Sequence, residues 1–382
     1  LKYWASCLKD SCREDEAFCR ISDDNFAFLW RLDEQDRLRE RFNGLADRLA
    51  SFGPFEEKNY QVELISGVYI PETPCGMDID EMLNRANMAR KSIVSPRGSR
   101  ILFFTEELRK KALAGIEMEA EMRSALDKEE FVLYFQPQIK LTDVSGQKAH
   151  RAEALVRWMR NGRIYAMPDD FIGLFEKNGM IAELDLYIYE RICILINRFK
   201  ACGLTSVCIA VNVSRHTMMQ PDFMETYLEI KKRYRIEDDE LELEFTESIA
   251  VEELELMQKV LKQLKKAGFI CAMDDFGTGY SSLNVLQILP LDILKLDKGF
   301  LACEGEDRRR QIVVKSVLQM AKQLDMLTIV EGVENEEQLH LLQKVGCDYL
   351  QGFLVSPPLS EDEYRSFVKE ELHGGESEIR QI

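Results

Sequence analysis

Seven short apolar runs, at residues 151–158, 207–214, 241–247, 270–275, 291–297, 327–334 and 347–352, each leave their hydrophobic stretch on polar side chains. The tips are Glu153, Asn212, Glu244 with Glu247, the adjacent pair Asp274-Asp275, Lys295 with Asp297, Glu331 with Glu334, and Gln351. Each run has strand length and bulky or β-branched residues, which predicts a strand with a buried body and a polar exit. Between them lie amphipathic stretches, such as residues 252–267, 308–324 and 336–345, long enough for helices. This alternation predicts an α/β architecture with a parallel sheet covered by helices. About eight such units close most economically as a (β/α)8, TIM-like barrel, whose chemistry sits at the C-terminal strand ends. The polar tips fall at those ends.

The first part of the chain follows another rhythm. Residues 1–105 read as an α+β unit with strands at 26–30, 62–69 and 100–104 and a helix at 79–93. Turn signals stand at Gly53-Pro54, Pro74-Cys-Gly76 and Pro96-Arg-Gly98. Residues 106–130 are charged, rich in Ala, Leu, Met and Glu, and lack Pro, which predicts a linker helix. The barrel unit then occupies residues 131–369, and residues 370–382 form a polar tail.

Composition narrows the function. At 382 residues and 46% hydrophobic the chain can bury a large core, and its length suggests two domains. A formal net charge of −17 argues against binding a nucleic-acid polymer or a membrane surface, since both need clustered Lys and Arg. A phosphate substrate would therefore need metal ions as intermediaries. No apolar run reaches the roughly 18 residues of a spanning helix, so a cytoplasmic location is expected. The chain starts at Leu1 inside a helical pattern, which leaves an upstream sensor or membrane region open. Its ten cysteines are scattered without a C-x-x-C pair, and Cys193, Cys208, Cys271 and Cys347 lie in apolar runs, so they read as reduced core thiols.

Carboxylates brought together repel unless cations sit among them, so several acid tips on one barrel rim imply bound metal. Oxygen ligands select hard ions, Mg2+ or Mn2+. Asp274 and Asp275 are the sharpest sign, because two carboxylates leaving one strand end can hold two ions about 3.5–4 Å apart. Any single tip is more simply a helix cap or a solvated strand exit; the repetition is what argues for a site. Lys295, between Leu294 and Leu296, must be paired: either it supports the barrel, or it orients a water or neutralises an oxyanion. Gly277-Thr-Gly-Tyr-Ser-Ser282 suits a loop near phosphates, a weak signal alone. His150, His216, His340 and His373 fall outside the pattern of tips, which disfavours a His-dependent hydrolase.

These residues resemble the EAL domain, the cyclic di-GMP phosphodiesterase family. The resemblance is carried by Gln136-Pro137, Glu153-Ala-Leu-Val-Arg157-Trp158, Asn212-Val-Ser214, Glu244-Phe-Thr-Glu247-Ser248, Asp274-Asp275-Phe-Gly-Thr-Gly-Tyr-Ser-Ser, Lys295-Leu-Asp297, Glu331-Gly-Val-Glu334 and Gln351-Gly-Phe. It implies that Glu153, Asn212, Glu244 and Asp274 ligate one metal, that Asp274 and Asp275 serve a second, and that Glu331 is a second-metal ligand or general base. It further implies that Lys295 positions the water, that Gln136, Leu155, Arg157 and Gln351 belong to the substrate cleft, and that Glu247 anchors the Asp-Asp-Phe-Gly loop. The implied reaction is attack of metal-activated water on cyclic di-GMP, giving linear 5′-pGpG, with a homodimer through this domain as family behaviour. Two departures remove no ligand: Arg151 stands where a small residue is usual, and Lys298-Gly299 replaces Arg-Ser. The rival readings are a cyclic di-GMP receptor that does not cut, usually marked by lost ligands, and a protein-interaction scaffold.

The first unit resembles the C-terminal part of a GGDEF domain, the diguanylate cyclase family, with Ser22-Asp-Asp-Asn-Phe26 at the signature. Its Gly-Gly turn, which would let backbone lie against GTP phosphates, is gone, so the resemblance implies a degenerate, inactive unit with a regulatory or structural role. Arg13-Glu-Asp-Glu16 has the spacing of that family's inhibitory R-x-x-D motif with Glu for Asp, but an exposed helical charge run is the plainer expectation.

Overall fold

The structure is a computed structural model that describes residues 2–51, 64–71, 76–93, 100–141, 150–204, 207–277, 283–301 and 308–373. The Gly53-Pro54 and Pro96-Arg-Gly98 signals, loop residues 278–282 and the tail beyond 373 lie outside the described residues. The chain divides into two compact units, Leu1–Ala120 and Glu121–Ile382.

The first unit runs α1 (Lys2–Ser11), β1 (Ala17–Ser22), β2 (Asn25–Leu29), α2 (Gln35–Ala50), β3 (Ile65–Val68), α3 (Ile79–Lys91) and β4 (Arg100–Phe103). β1 and β2 form an antiparallel hairpin in which Ser22 faces Asn25 across the Asp23-Asp24 turn. β3 and β4 form a separate parallel pair. Phe18, Phe26, Phe28 and Trp30 pack over the buried cluster of Cys7, Leu8, Leu45 and Leu49. α3 lies so close on β3 that a Cβ on Gly67 would stand 1.9 Å from the Ala86 carbonyl oxygen, which explains the glycine. β1 was hidden from sequence reading because Arg20 interrupts its apolar run. Residues 13–16 are not helical, contrary to expectation, but form the turn between α1 and β1. There Glu16 is an internal tie: its carboxylate accepts from the Arg13 and Arg31 amides, each at 2.9 Å, and pairs with Arg41. Arg41 is itself stacked 4.2 Å over the Trp30 ring, so the turn, β2 and α2 meet at one charge pair. Helix α4 (Glu106–Asp127) follows, in the stretch expected to be helical.

In the second unit the order is β5 (Phe131–Lys140), β6 (His150–Arg160), β7 (Arg163–Ala166), α5 (Pro168–Asn178), α6 (Ile181–Ala201), β8 (Val207–Asn212), α7 (Arg215–Met218), α8 (Phe223–Arg233), β9 (Leu241–Thr246), α9 (Glu247–Glu252), α10 (Leu254–Lys266), β10 (Ile270–Phe276), α11 (Leu283–Ile288), β11 (Ile293–Leu296), α12 (Arg308–Gln323), β12 (Leu327–Val330), α13 (Glu336–Val345), β13 (Tyr349–Gln351) and α14 (Glu361–His373). The sheet order β5-β13-β12-β11-β10-β9-β8-β6-β7, with β5 also paired to β6, closes a barrel and leaves β7 outside as a flap on β6.

The barrel is not all-parallel, as the alternation had suggested. β5 runs antiparallel to both neighbours, β6 and β13, while the remaining barrel strands are mutually parallel. Among the described residues no helix lies between β5 and β6, and an antiparallel pair, unlike a parallel one, needs no crossover. Helices cover the outside with apolar faces; α10 buries Met257, Val260, Leu261 and Leu264, each worth about 1.5–3 kcal/mol of transfer free energy. Inside the lumen, Ala272, Ile293, Ile329 and Tyr349 form a packed layer that supports the C-terminal rim. Cys193, Cys208, Cys271 and Cys347 are buried and unbridged. Among the described residues no helix is long and apolar enough to cross a membrane.

Candidate active site

Strand alternation carries the tips to one place. On β6 the odd residues face the lumen, which sends Glu153 inward between the buried Ala152 and Ala154. Asn212 ends β8, Glu244 and Asp274 face inward from β9 and β10, Lys295 from β11, and Gln351 ends β13. Glu331 is the first residue past β12, its amide bonded to the Leu296 carbonyl at 3.0 Å.

Lys295 is the hub. It is fully buried, and its Nζ lies 2.6 Å from Glu331 Oε1, 2.8 Å from Glu244 Oε1, 3.2 Å from Asp274 Oδ1 and 3.3 Å from Glu153 Oε2. Gln351 Nε2 donates to Glu153 Oε2 at 2.6 Å and to Gln136 Oε1 at 3.2 Å, while its own oxygen accepts from Gln138 Nε2 at 2.9 Å. Asn212 Nδ2 donates to Glu153 Oε1 at 3.0 Å. Amide and carboxylate tips thus form one network.

Adjacent strand residues normally point to opposite faces, yet Asp274 and Asp275 both join the cluster. Asp275 has φ 55°, in the left-handed region, and the β10–β11 register slips between Met273 and Phe276. This bulge turns the second carboxylate inward, a backbone conformation that costs free energy and is typical of functional sites. Two acid groups result, Glu153–Glu244–Asp274 and Asp274–Asp275–Glu331, with the oxygens in each within 4.8 Å of one another and Asp274 common to both.

Burial dominates the electrostatics. It raises the Glu244 carboxyl well above its ordinary range, only partly offset by Lys295. Burial likewise pushes Glu331 up to about 8, against the opposing pull of Lys295 and with Asp274 adding to the rise. Desolvation, then Asp274, raises Asp275. Burial opposes the charge on Lys295, but the surrounding carboxylates, Asp274 foremost, outweigh it and keep the ammonium protonated. Oε2 of the buried Glu244 has no hydrogen-bond partner among the described residues, while Glu244 Oε1 and Glu331 Oε1 meet the Lys295 ammonium as ion pairs. Unsatisfied carboxylate oxygens in an all-oxygen donor set fit hard divalent cations.

The remaining predicted residues divide. Glu247, opening α9, accepts from the Gly277 amide at 2.9 Å and so ties down the start of the loop after Asp275. Gly277, at φ 97°, lies against the Phe300 ring with no room for a Cβ. Leu155 follows Glu153 by two residues on β6, and the Arg157 guanidinium sits 5.7 Å over Tyr134 and donates to the Val156 carbonyl at 2.8 Å. Among the described residues Arg157 makes no ion pair with the cluster. Sequence reading missed Gln138, which orients Gln351; its position two residues after Gln136 on the same strand was the available signal.

This rim and barrel define a class. The chain matches the EAL domain family over residues 119–358 and belongs to that family. It is similar to the signaling protein YkoW of Bacillus subtilis, 30% identical over 319 residues, covering 83% of this chain and 39% of YkoW. It is similar to the cyclic di-GMP phosphodiesterase NbdA of Pseudomonas aeruginosa, 28% identical over 369 residues, covering 97% of this chain and 47% of NbdA. The chain therefore spans less than half the length of these two relatives. Among solved structures it resembles "PaMucR Phosphodiesterase, c-di-GMP complex", 30% identical with a TM-score of 0.59, covering 64% of this chain and 98% of that one. It also resembles "Structure of EAL Enzyme Bd1971 - cAMP and cyclic-di-GMP bound form", 25% identical with a TM-score of 0.61, covering 67% of this chain and 69% of that one. The second unit is an EAL-type barrel with its helices.

Proposed function

We propose that the chain is a phosphodiesterase that opens one phosphodiester of cyclic di-GMP to give linear 5′-pGpG. The reading rests above all on two acid groups that share Asp274 on one barrel rim, with the ligand candidate Asn212 and the water-positioning candidate Lys295 in the same network. Two divalent cations, Mg2+ or Mn2+, held by Glu153, Asn212, Glu244, Asp274, Asp275 and Glu331 would supply an activated water and offset charge developing on phosphorus. Glu331, whose proton affinity burial has raised, takes the role of metal ligand or general base toward that water. Lys295 would hold the water in line and offset the mutual repulsion of the neighbouring carboxylates. Gln136, Leu155, Arg157 and Gln351 would shape the dinucleotide cleft, and Glu247 would fix the loop that closes on it.

In this reading the first unit is a degenerate GGDEF-like domain with a regulatory or structural role. Ser22 and Asp23 carry side chains at the two positions where the signature has glycine and a cyclase needs bare backbone. GTP cyclisation is not expected, a cytoplasmic location is, and a homodimer would form through the barrel unit.

Chromatography of products from cyclic di-GMP, with Mg2+ or Mn2+ and with chelator, tests the reading. Linear 5′-pGpG is expected only with metal, and Glu153→Ala or Asp274→Ala should abolish it. Undiminished activity of Asp274→Ala in chelator would falsify the assignment, and tight binding without product would mark a receptor instead.

A further inference from the structure

Beneath the acidic cluster the barrel holds a second charged layer that the reading above does not use. Arg151 on β6 donates through Nη2 to Glu242 on β9, and both side chains are buried, at 6% and 0% exposure. The same guanidinium lies 5.4 Å over the ring of Tyr349 on β13. In the sheet, β8 separates β6 from β9, and β5 separates β6 from β13. Both contacts therefore cross the lumen instead of running along a strand ladder.

The placement is systematic. Arg151, Glu242 and Tyr349 each stand two residues before a member of the rim network, namely Glu153, Glu244 and Gln351. With a side-chain period of two, each pair shares one strand and one face. The upper three are linked through Lys295, which contacts Glu153 and Glu244, and through the Gln351–Glu153 hydrogen bond of 2.6 Å. The lower three are linked through Arg151 alone.

Stability is a poor reason for such a pair. Arg151 Nε and Glu242 Oε1 have no hydrogen-bond partner among the described residues. A buried ion pair left incompletely satisfied is often no better than apolar side chains of the same volume. Apolar filling is what Ala272, Ile293 and Ile329 provide elsewhere in the lumen. A planar guanidinium held at its edge by a carboxylate and on one face by an aromatic ring does, however, fix direction.

We propose that Arg151 is a positioning residue: by gripping Glu242 and Tyr349 across the lumen, it sets the mutual placement of the three strands that carry the metal-ligand candidates Glu153 and Glu244 and the Gln351 that holds Glu153. This inference rests on the metal-dependent reading of the rim. Arg151 touches neither substrate nor metal and acts through the residues two positions ahead.

The test uses the full chain and compares wild type with Arg151→Met, Arg151→Lys and the double variant Arg151→Met/Glu242→Leu. Mn2+ affinity is read by titration calorimetry, turnover by steady-state kinetics and folding by thermal denaturation. The double variant removes the charge pair together, so it should fold with a melting temperature close to wild type. Its Mn2+ affinity and kcat should each fall at least tenfold while KM for cyclic di-GMP stays within twofold. Arg151→Lys, which keeps the charge but loses the planar fork, should lie between. A well-folded double variant with wild-type Mn2+ affinity and kcat overturns the proposal and leaves the pair as fold support. If the double variant does not fold, Tyr349→Leu decides by the same criterion, since it removes only the ring under the guanidinium. A wild type that neither binds Mn2+ nor turns over would instead sink the phosphodiesterase reading, so the two failures are distinguishable.

Discussion

Replacing Lys295 by Met removes the ammonium that four carboxylates share, the buried Glu153, Glu244 and Asp274 and the partly buried Glu331. Its Nζ stands 2.6–3.3 Å from Glu331, Glu244, Asp274 and Glu153, and the side chain is fully buried. Deleting one partner of a buried ion pair typically costs about 3–5 kcal/mol, because the other partner stays desolvated without a counter-charge. For a domain of this size each kcal/mol moves the melting temperature by about 2–4 °C, so a drop of roughly 6–20 °C is expected in chelator. The acids can relieve part of this by taking up protons. Glu331, already raised to about 8 with Lys295 present, binds its proton more tightly in the folded than in the unfolded chain. Such a group favours the fold below its unfolded value of about 4.3, and that contribution is lost as pH rises toward 8. Without Lys295 more carboxyls join this behaviour, so the gap between Lys295→Met and wild type should widen with pH. Mn2+ should raise the melting temperature of both proteins, because a ligand at 100 times its Kd adds about 2.7 kcal/mol to the folded state. Turnover should stay lost at any Mn2+ concentration. Differential scanning fluorimetry across pH, with chelator and with Mn2+, measures all of this. A melting temperature equal to wild type in chelator would refute the counter-ion role, and melting temperatures that Mn2+ moves in neither protein would refute cation binding by these acids.

Further outcomes follow from the two units separately. Arg41 holds the Glu16 carboxyl down to about 2, so its stabilisation is complete above the ordinary carboxylate range and fades as pH falls toward 2. Glu16→Gln should therefore lower the stability of the first unit at neutral pH and flatten its acid-unfolding limb, followed by circular dichroism from pH 6 to 2; an unchanged limb would contradict the assignment. Gly352 sits so tightly that a Cβ would lie 2.2 Å from the Val333 carbonyl oxygen and 2.3 Å from its amide nitrogen. Gly352→Ala should cost about 1–3 kcal/mol of overpacking and, by displacing the neighbouring Gln351, reduce kcat. Unaltered melting and kinetics would show that the β13 end adjusts freely.

What was legible in the sequence was what one strand can encode by itself. A run such as Ile270-Cys-Ala-Met-Asp274-Asp275 states its length, its burial and its polar exit, and those local facts suffice to place Glu153, Glu244, Asp274 and Lys295 on one rim once a barrel is assumed. The antiparallel course of β5 was not legible, since direction depends on how the chain returns and not on the residues within the strand. Nor was the inward turn of Asp275, which breaks the period of two through a bulge set by pairing with β11. Gln138 and Arg151 were opaque for the same reason: their partners Gln351 and Glu242 lie 213 and 91 residues away and meet them only across the closed lumen. Arg151 was visible as an oddity, a large cation where a small residue was expected. A lone departure in an otherwise apolar layer implies a partner of opposite charge at the same depth, and the only acid placed two residues before a rim carboxylate on a facing strand is Glu242. The layer below a catalytic rim is thus partly readable after all, provided the strands are first aligned by their tips and then compared one step back.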